Sequence, residues 1–290
     1  MKDLIKNEEL SKYNWFNLGG PAKIFFKTQS INDLKTFLKE NNPSNYKIHI
    51  LGAGSNTLFR DGGFEGVVIK LGNSFSYTKL KTENTIEVGG ATLDRKISDF
   101  ASENSISGFE FLSCIPGSIG GSITMNSGCY GEDISKIFLS LSAINFNGEI
   151  ETYNKDQIKF FYRGNNLRKN LIIISATFKG ELTEKKNILQ KKDILINKKK
   201  ESQPTRVKTC GSTFKNPENG KKAWELIKLS NCSNLKVGGA SISEKHNNFF
   251  LNNGDASASD IEKLINLVKE KVFIKTGINL ELEIKIIGKK

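Results

Sequence analysis

Two glycine-rich stretches constrain this chain more than any other feature. Gly52-Ala53-Gly54-Ser55-Asn56 follows the apolar run Ile48 to Leu51. Ile115-Pro116-Gly117-Ser118-Ile119-Gly120-Gly121-Ser122 is continued by Met125-Asn126-Ser127-Gly128-Cys129-Tyr130-Gly131. Lacking a Cβ, glycine lets the backbone turn tightly and approach a ligand closely. Successive backbone N–H groups in such turns form hollows that bind anions. Two of them, each beside a strand-like run, point to one long ligand with a pyrophosphate at its middle. Neither stretch has the Gly-x-Gly-x-x-Gly spacing of a dinucleotide fold, and neither closes with the Gly-Lys-Ser/Thr of a P-loop. A pair of tight turns in a loop-rich protein is the competing explanation, and it accounts better for either stretch alone than for both.

At 290 residues and 37% hydrophobic content, the chain is long enough for one large domain or two to three smaller ones. It contains no apolar run long enough to span a bilayer. The segment Met1-Lys2-Asp3-Leu4-Ile5-Lys6-Asn7-Glu8 lacks the apolar stretch and cleavage-like site of a signal peptide, so the expected location is the cytoplasm. Cys114, Cys129, Cys210 and Cys232 lie far apart and read as reduced thiols, not a disulfide frame. With only His49 and His246 besides, no metal site is expected. The net charge of +12 invites a nucleic-acid partner, but the lysines carrying it are dispersed, which is the pattern of a solvated surface. We expect no nucleic-acid partner, no membrane insertion and a monomer. A positive field also favours an anionic small substrate. Only five of the 43 basic residues are arginines: Arg60, Arg95, Arg163, Arg168 and Arg206. In a chain that uses lysine elsewhere, an arginine points to a need for its planar fork.

Hydrophobic spacing organises the chain as α+β. Strands are expected at Ala22 to Phe26, Ile48 to Leu51, Gly66 to Leu71, Thr85 to Val88, Phe138 to Asn145, Glu149 to Tyr153 and Leu171 to Lys179, with Asn147-Gly148 as a hairpin turn. Helices are expected from Ser30, a plausible N-cap, to Glu40 and from Leu93 to Asn104. From about Glu184 the pattern changes to a lysine-rich amphipathic helix ending near Lys200. Helices at Ala223 to Leu229 and Ser259 to Lys275 and a last strand at Leu280 to Ile287 follow. The expected organisation is a first domain over 1–182, with lobes of about 1–70 and 71–182, and a separate C-terminal domain over 183–290.

The order of motifs along nearly the whole chain resembles the UDP-N-acetylenolpyruvoylglucosamine reductase family. Besides the two glycine stretches, the resemblance rests on Trp15-Phe16-Asn17-Leu18-Gly19-Gly20-Pro21-Ala22, Phe161-Tyr162-Arg163 and Gly211-Ser212-Thr213-Phe214-Lys215-Asn216-Pro217. It continues through Ser243-Glu244-Lys245-His246-Asn247-Asn248-Phe249 and Leu280-Glu281-Leu282-Glu283-Ile284. Each motif is weak by itself; the ordered set is specific. The resemblance implies an FAD-binding fold of the vanillyl-alcohol-oxidase-like type, with two α+β lobes, and an α+β substrate domain. It also implies non-covalent FAD, NADPH as reductant, and a UDP-sugar bearing an enolpyruvyl ether as substrate, reduced to UDP-N-acetylmuramate for peptidoglycan.

By the same resemblance, Gly52, Ala53, Gly54, Ser55, Asn56, Pro116, Gly117, Ser118, Gly120, Gly121 and Gly128 contact the cofactor. Tyr162, Lys215 and Asn216 meet the substrate. Arg163 matches the family's catalytic arginine, Ser212 its proton donor and Glu283 its catalytic glutamate. Hydride addition to an α,β-unsaturated carboxylate builds charge on that carboxylate, and a guanidinium fork suits it. A hydroxyl is a weak acid, but the intermediate is a strong base, so position outweighs acidity.

Several alternatives stand beside this. In an extended segment Cys210 shares a face with Ser212 and is a rival donor. Glu281 would share a strand face with Glu283. His246 suits a packed structural histidine better than a catalytic one. Cys114 and Cys129 occupy places where small residues are usual. The span from Arg163 to Ser212 is too short for the tyrosine-bearing loop of one subtype, so the chain resembles the shorter one. A different flavin-dependent oxidase or dehydrogenase of the same cofactor-binding superfamily remains the alternative function.

Overall fold

The computed structural model describes residues 4–41, 46–218 and 220–290. The chain divides into two compact units, neither of which is one continuous stretch. The first combines residues up to Ile5 with Phe25–Ala53 and Gly66–Lys199; the second combines Lys6–Ile24, Gly54–Glu65 and Lys200–Lys290.

In the first unit the chain builds a five-stranded antiparallel sheet. Its spatial order is Ile150–Asn154, Phe138–Asn145, Leu171–Lys179, Thr85–Gly89, Thr78–Thr82. The central strand Leu171–Lys179 is rich in β-branched residues, and Ile172, Ala176 and Phe178 are buried. Above it lie the helix Asp94–Glu103, through Ile97 and Ala101, and the 3-10 turn Glu110–Cys114, through Phe111 and Leu112. Phe138 packs edge-on against Phe160 and Phe178. A second sheet holds Lys47–Leu51 parallel to Phe64–Leu71, with Ile48 opposite Val67 and Ile50 opposite Ile69. Helix Ile31–Glu40 precedes Lys47–Leu51 in the chain. Ser30 caps it by accepting the Asp33 amide at 3.0 Å, and Phe37 stacks on Phe26 at 4.4 Å between ring centroids.

The second unit is built around helix Ala258–Thr276. Ser257 and Asp260 form its capping box, Gly277 closes it at φ +71°, and Ile261, Leu264, Ile265, Val268 and Val272 make a continuous buried stripe. Against it pack helix Ala223–Leu229 and a small antiparallel sheet of Lys236–Val237, Ala240–Ile242 and Phe250–Asn252. Thr57–Phe59 pairs parallel with Lys285–Ile287. The loop after Thr57–Phe59 is locked to the long helix twice. The Arg60 guanidinium takes both oxygens of Glu262 at 2.8 and 2.9 Å, and the Asp61 carboxylate accepts the amides of Ala258 and Ser259. The fork of Arg60 is thus used structurally.

Two expectations change. The lysine-rich helix is Lys185–Ser202, and it puts Leu195 into the first unit's core with Ile196 packed against it. The last strand is only Lys285–Ile287; Leu280 to Ile284 is irregular apart from a bridge between Leu282 and Phe214. Glu281 and Glu283 therefore do not share a strand face. Glu281 turns out to solvent and pairs with Lys215 at 3.3 Å. Among the described residues no helix is long and apolar enough to cross a membrane.

Candidate active site

In the first unit the two glycine stretches meet. A Cβ on Gly52 would lie 2.7 Å from the Ser118 hydroxyl, so the two loops touch at a point only glycine permits. The Gly52 carbonyl also accepts the Lys70 ammonium, which burial makes easier to deprotonate than a free lysine. Gly117 to Gly120 is bound to a third glycine-bearing segment, Gly89 to Asp94. Ile119 donates to the Thr92 carbonyl at 2.9 Å, Gly120 to the Gly90 carbonyl at 2.9 Å, and Asp94 to the Gly117 carbonyl at 3.1 Å. Gly89-Gly90-Ala91 is a third glycine signal in the sequence.

Beneath this turn sits Asp94, fully buried. Its Oδ2 accepts the Ser122 hydroxyl at 2.6 Å and the Gly117 amide, while Oδ1 is buried with no hydrogen-bond partner among the described residues. Desolvation raises its pKa to about 7, against the partial relief of those two hydrogen bonds. A Cβ on Gly117 would stand 2.4 Å from Oδ2. Asp94 and Gly117 therefore fix one another.

Tyr162 and Arg163 form the two-residue tip of a hairpin between Phe160–Phe161 and Gly164–Asn165. Arg163 has φ +58°, the left-handed region that costs a non-glycine residue about 1–2 kcal/mol. Such strain persists where surrounding contacts impose it, and here they are visible. Asn126 donates to the Phe161 carbonyl at 3.2 Å, and Asn165 to the Ile123 carbonyl at 2.8 Å, which lashes the hairpin to helix Ile119–Thr124 of the second glycine stretch. The guanidinium lies 4.9 Å from the centre of the Tyr162 ring and donates to the Gly128 carbonyl at 3.2 Å. The tip is thus aimed, with Tyr162 exposed and Arg163 half-buried. Pro116 and Gly121 are exposed, and Gly120 is half-buried.

The second unit holds Gly54, Ser55 and Asn56 together with Ser212 and Glu283. Gly54 has φ +70° and no room for a side chain, since a Cβ would reach the Tyr13 carbonyl at 2.0 Å. Among the described residues the amides of Gly54, Ser55 and Asn56 have no protein acceptor. The Asn56 side chain points elsewhere, donating to the Glu283 carbonyl at 3.1 Å, while its own carbonyl accepts the Lys285 amide at 2.9 Å. Glu283 donates its amide to the Thr213 carbonyl at 2.9 Å, so the Ser212 and Glu283 segments run side by side. Asn248 fixes the Ser212 side of this pair: its carbonyl accepts Thr213, its Oδ1 accepts Phe214 and its Nδ2 donates to the Phe214 carbonyl. His246 supports Asn248 by accepting its amide at 3.2 Å and packs on Phe249.

Cys210 and Ser212 do not share a face. Gly211 at φ +75° breaks the alternation. Cys210 is driven into the core, where its thiol bonds the Thr57 carbonyl at 3.3 Å and burial raises its pKa to about 12. Ser212 is half-buried. Lys215 pairs with Glu281, and the Asn216 side-chain oxygen accepts the Ala223 amide at 3.0 Å at the start of helix Ala223–Leu229.

The comparisons with known proteins agree with one another. The family model described as "FAD binding domain" matches residues 22–154, and that described as "UDP-N-acetylenolpyruvoylglucosamine reductase, C-terminal domain" matches residues 203–287. A UDP-N-acetylenolpyruvoylglucosamine reductase from Pelagibacter ubique is 49% identical over 281 residues, covering 96% of this chain and 93% of that protein. One from Rickettsia canadensis is 45% identical, covering 99% and 98%. The crystal structure of the Thermus caldophilus enzyme is similar with a TM-score of 0.85 at 29% identity, covering 98% of both chains. In the first unit, the contact of Gly52 with Ser118 brings two side-chain-free backbone turns together, as a dinucleotide's phosphates need, so the residues present fit FAD. With an α+β fold of the FAD-binding type and identity above 40% over almost its full length, this chain belongs to the UDP-N-acetylenolpyruvoylglucosamine reductase family.

Proposed function

We propose that this protein reduces UDP-N-acetylglucosamine enolpyruvate to UDP-N-acetylmuramate with NADPH, using non-covalent FAD. The carrying observation is the strained Tyr162-Arg163 tip, whose guanidinium is aimed by the Gly128 carbonyl and the Tyr162 ring. Strained backbone that its surroundings hold in place clusters at functional sites.

Gly52, Ala53, Gly54, Ser55 and Asn56, with Pro116, Gly117, Ser118, Gly120, Gly121 and Gly128, hold the cofactor. When bound, FAD carries the hydride from NADPH to the enolpyruvyl ether. Arg163 then meets the carboxylate on which charge accumulates. Its forked donors bind both oxygens, and the interaction strengthens as charge builds. The Ser212 hydroxyl delivers the proton to the adjacent carbon. Glu283, fixed through its backbone by Thr213 and Asn56, orients the guanidinium in the reacting complex. Tyr162, Lys215 and Asn216 line the substrate's path, and residues 183–290 form the substrate domain beside an FAD domain over 1–182. The enzyme acts as a cytoplasmic monomer.

The test separates the half-reactions. In Ser212→Ala, NADPH still bleaches the flavin, and reoxidation by the enolpyruvyl substrate nearly stops. Normal reoxidation in that variant removes Ser212 from the mechanism.

A further inference from the structure

Two cysteines of the first unit take no part in the proposed reaction, yet they stand together in a chemically particular setting. Cys114 ends the 3-10 turn Glu110–Cys114, directly before the Ile115-Pro116-Gly117 loop; Cys129 lies in the short strand Gly128–Cys129. The Cys129 thiol donates to the Phe111 carbonyl at 3.5 Å. In a 3-10 turn the carbonyl of one residue faces the amide three residues on, so this bond sets the Cys129 sulfur at the Cys114 end of the turn. The strand Gly128–Cys129 packs against this turn, so the two thiols stand near enough to influence each other's ionisation. The Ser113 hydroxyl stands 3.7 Å from the Cys114 sulfur, and the half-buried Lys199 ammonium donates to the Cys114 carbonyl at 2.8 Å.

We propose that Cys114 and Cys129 form a redox-active dithiol that closes to an intramolecular disulfide when a hydroperoxide is supplied. The Cys129 thiol, the Ser113 hydroxyl and the positive charge of Lys199 all favour a thiolate on Cys114, holding its pKa down at about 6, while the Cys114 thiolate beside it and then burial raise that of Cys129. A thiolate is the attacking form of cysteine. The Cys114 thiolate attacks one peroxide oxygen; the O–O bond breaks, the second oxygen leaves as water or alcohol after taking a proton, and Cys114 becomes a sulfenic acid. The Cys129 sulfur then attacks the Cys114 sulfur and expels hydroxide, which takes the Cys129 proton and leaves as water. Two electrons pass from the sulfur pair to the peroxide. The other two cysteines lack this setting: Cys210 is buried with its thiol on the Thr57 carbonyl, and the Cys232 thiol bonds the Ser230 carbonyl.

The closure is coupled to the reaction through one peptide unit. Gly128, next to Cys129, supplies the carbonyl that holds the Arg163 guanidinium. Drawing the Cys129 sulfur onto Cys114 pulls on that anchor, so the linked enzyme turns over more slowly. This second effect rests on the role proposed for Arg163; the disulfide itself does not.

The test uses the flavin-loaded protein, reduced with dithiothreitol, desalted without air and given a few equivalents of hydrogen peroxide. Intact mass is expected to fall by two hydrogens. Of the four thiols, two remain open to alkylation in urea, and one cross-linked peptide pair contains Cys114 and Cys129. Cys129→Ser instead accumulates a sulfenic acid at Cys114, trapped by dimedone. Four alkylatable thiols after treatment, or a link that involves Cys210 or Cys232, overturns the site, and neither readout depends on the reductase activity. Turnover of the linked enzyme is expected to drop on the order of tenfold or more, as for a displaced catalytic group, and to return with dithiothreitol. Unchanged turnover in fully linked protein overturns the coupling to Arg163.

Discussion

Replacing Asp94 with asparagine isolates the cost of burying a carboxyl under the second glycine loop. An aspartate titrates near 3.8 when unfolded and at about 7 in this fold. The folded chain therefore holds the proton more tightly than the unfolded chain. Stability from this group is complete below pH 3.8 and is lost as pH rises through 7. Each pH unit across that window is worth about 1.4 kcal/mol. The three-unit separation sets a ceiling of ~4 kcal/mol for the fully ionised group, and we expect ~2–4 kcal/mol at pH 8.5. Asparagine stays neutral and keeps an oxygen for the Ser122 hydroxyl, so Asp94→Asn should lose this dependence. Both tryptophans, Trp15 and Trp224, belong to the second unit and do not report on the unit that unfolds around Asp94. Hydrogen exchange at amides of Phe138–Asn145 and Leu171–Lys179 does. Comparing the two proteins at the same pH cancels the intrinsic pH dependence of exchange. The variant's protection relative to wild type should rise about thirtyfold or more between pH 5.5 and 8.5. A ratio that stays constant over that range would refute the account of Asp94 as a buried acid that ionises at a cost.

Four further outcomes are expected. Gly54→Ala places a Cβ 2.0 Å from the Tyr13 carbonyl at a positive φ, so it should fold in poor yield and purify without flavin; a yellow, stable variant would show that the loop can relax. Asn56→Ala removes the donor to the Glu283 carbonyl, a bond worth about 1 kcal/mol, and should lower turnover several-fold while flavin is retained; unchanged turnover would mean that Glu283 needs no such support. Arg163→Lys should lose ~10²-fold or more in turnover, by analogy with other removed charge stabilisers, with near wild-type rates counting against the fork. Cys210→Ser should still be reoxidised by the enolpyruvyl substrate where Ser212→Ala is not; the reverse pattern would make the buried thiol the proton donor.

The local content of this fold could be read from its residues. The helix begun by Ser30, the strands Phe138–Asn145 and Leu171–Lys179 and the helix Ala223–Leu229 follow from side-chain period and capping, which act over a few residues. The two glycine stretches announced close backbone approach for the same reason: the absence of a Cβ is a property of the residue itself. Resemblance added roles for Arg163, Ser212 and Glu283 that periodicity alone does not supply.

Tertiary structure decided the rest. That Gly52 meets Ser118, and that Asn56 supports Glu283 from 227 positions away, depends on hydrogen bonds and burial that no local spacing encodes. Extended alternation would put Cys210 beside Ser212; the positive φ of Gly211 and the core behind it send the thiol inward. The left-handed backbone of Arg163 is unfavourable in isolation and holds because Asn126 and Asn165 fasten its hairpin. Sequence thus fixed which residues bend, coil and bury, since those preferences are local. Only the folded chain determined which of them face one another, because desolvation and long-range pairing arise when distant segments share the same space.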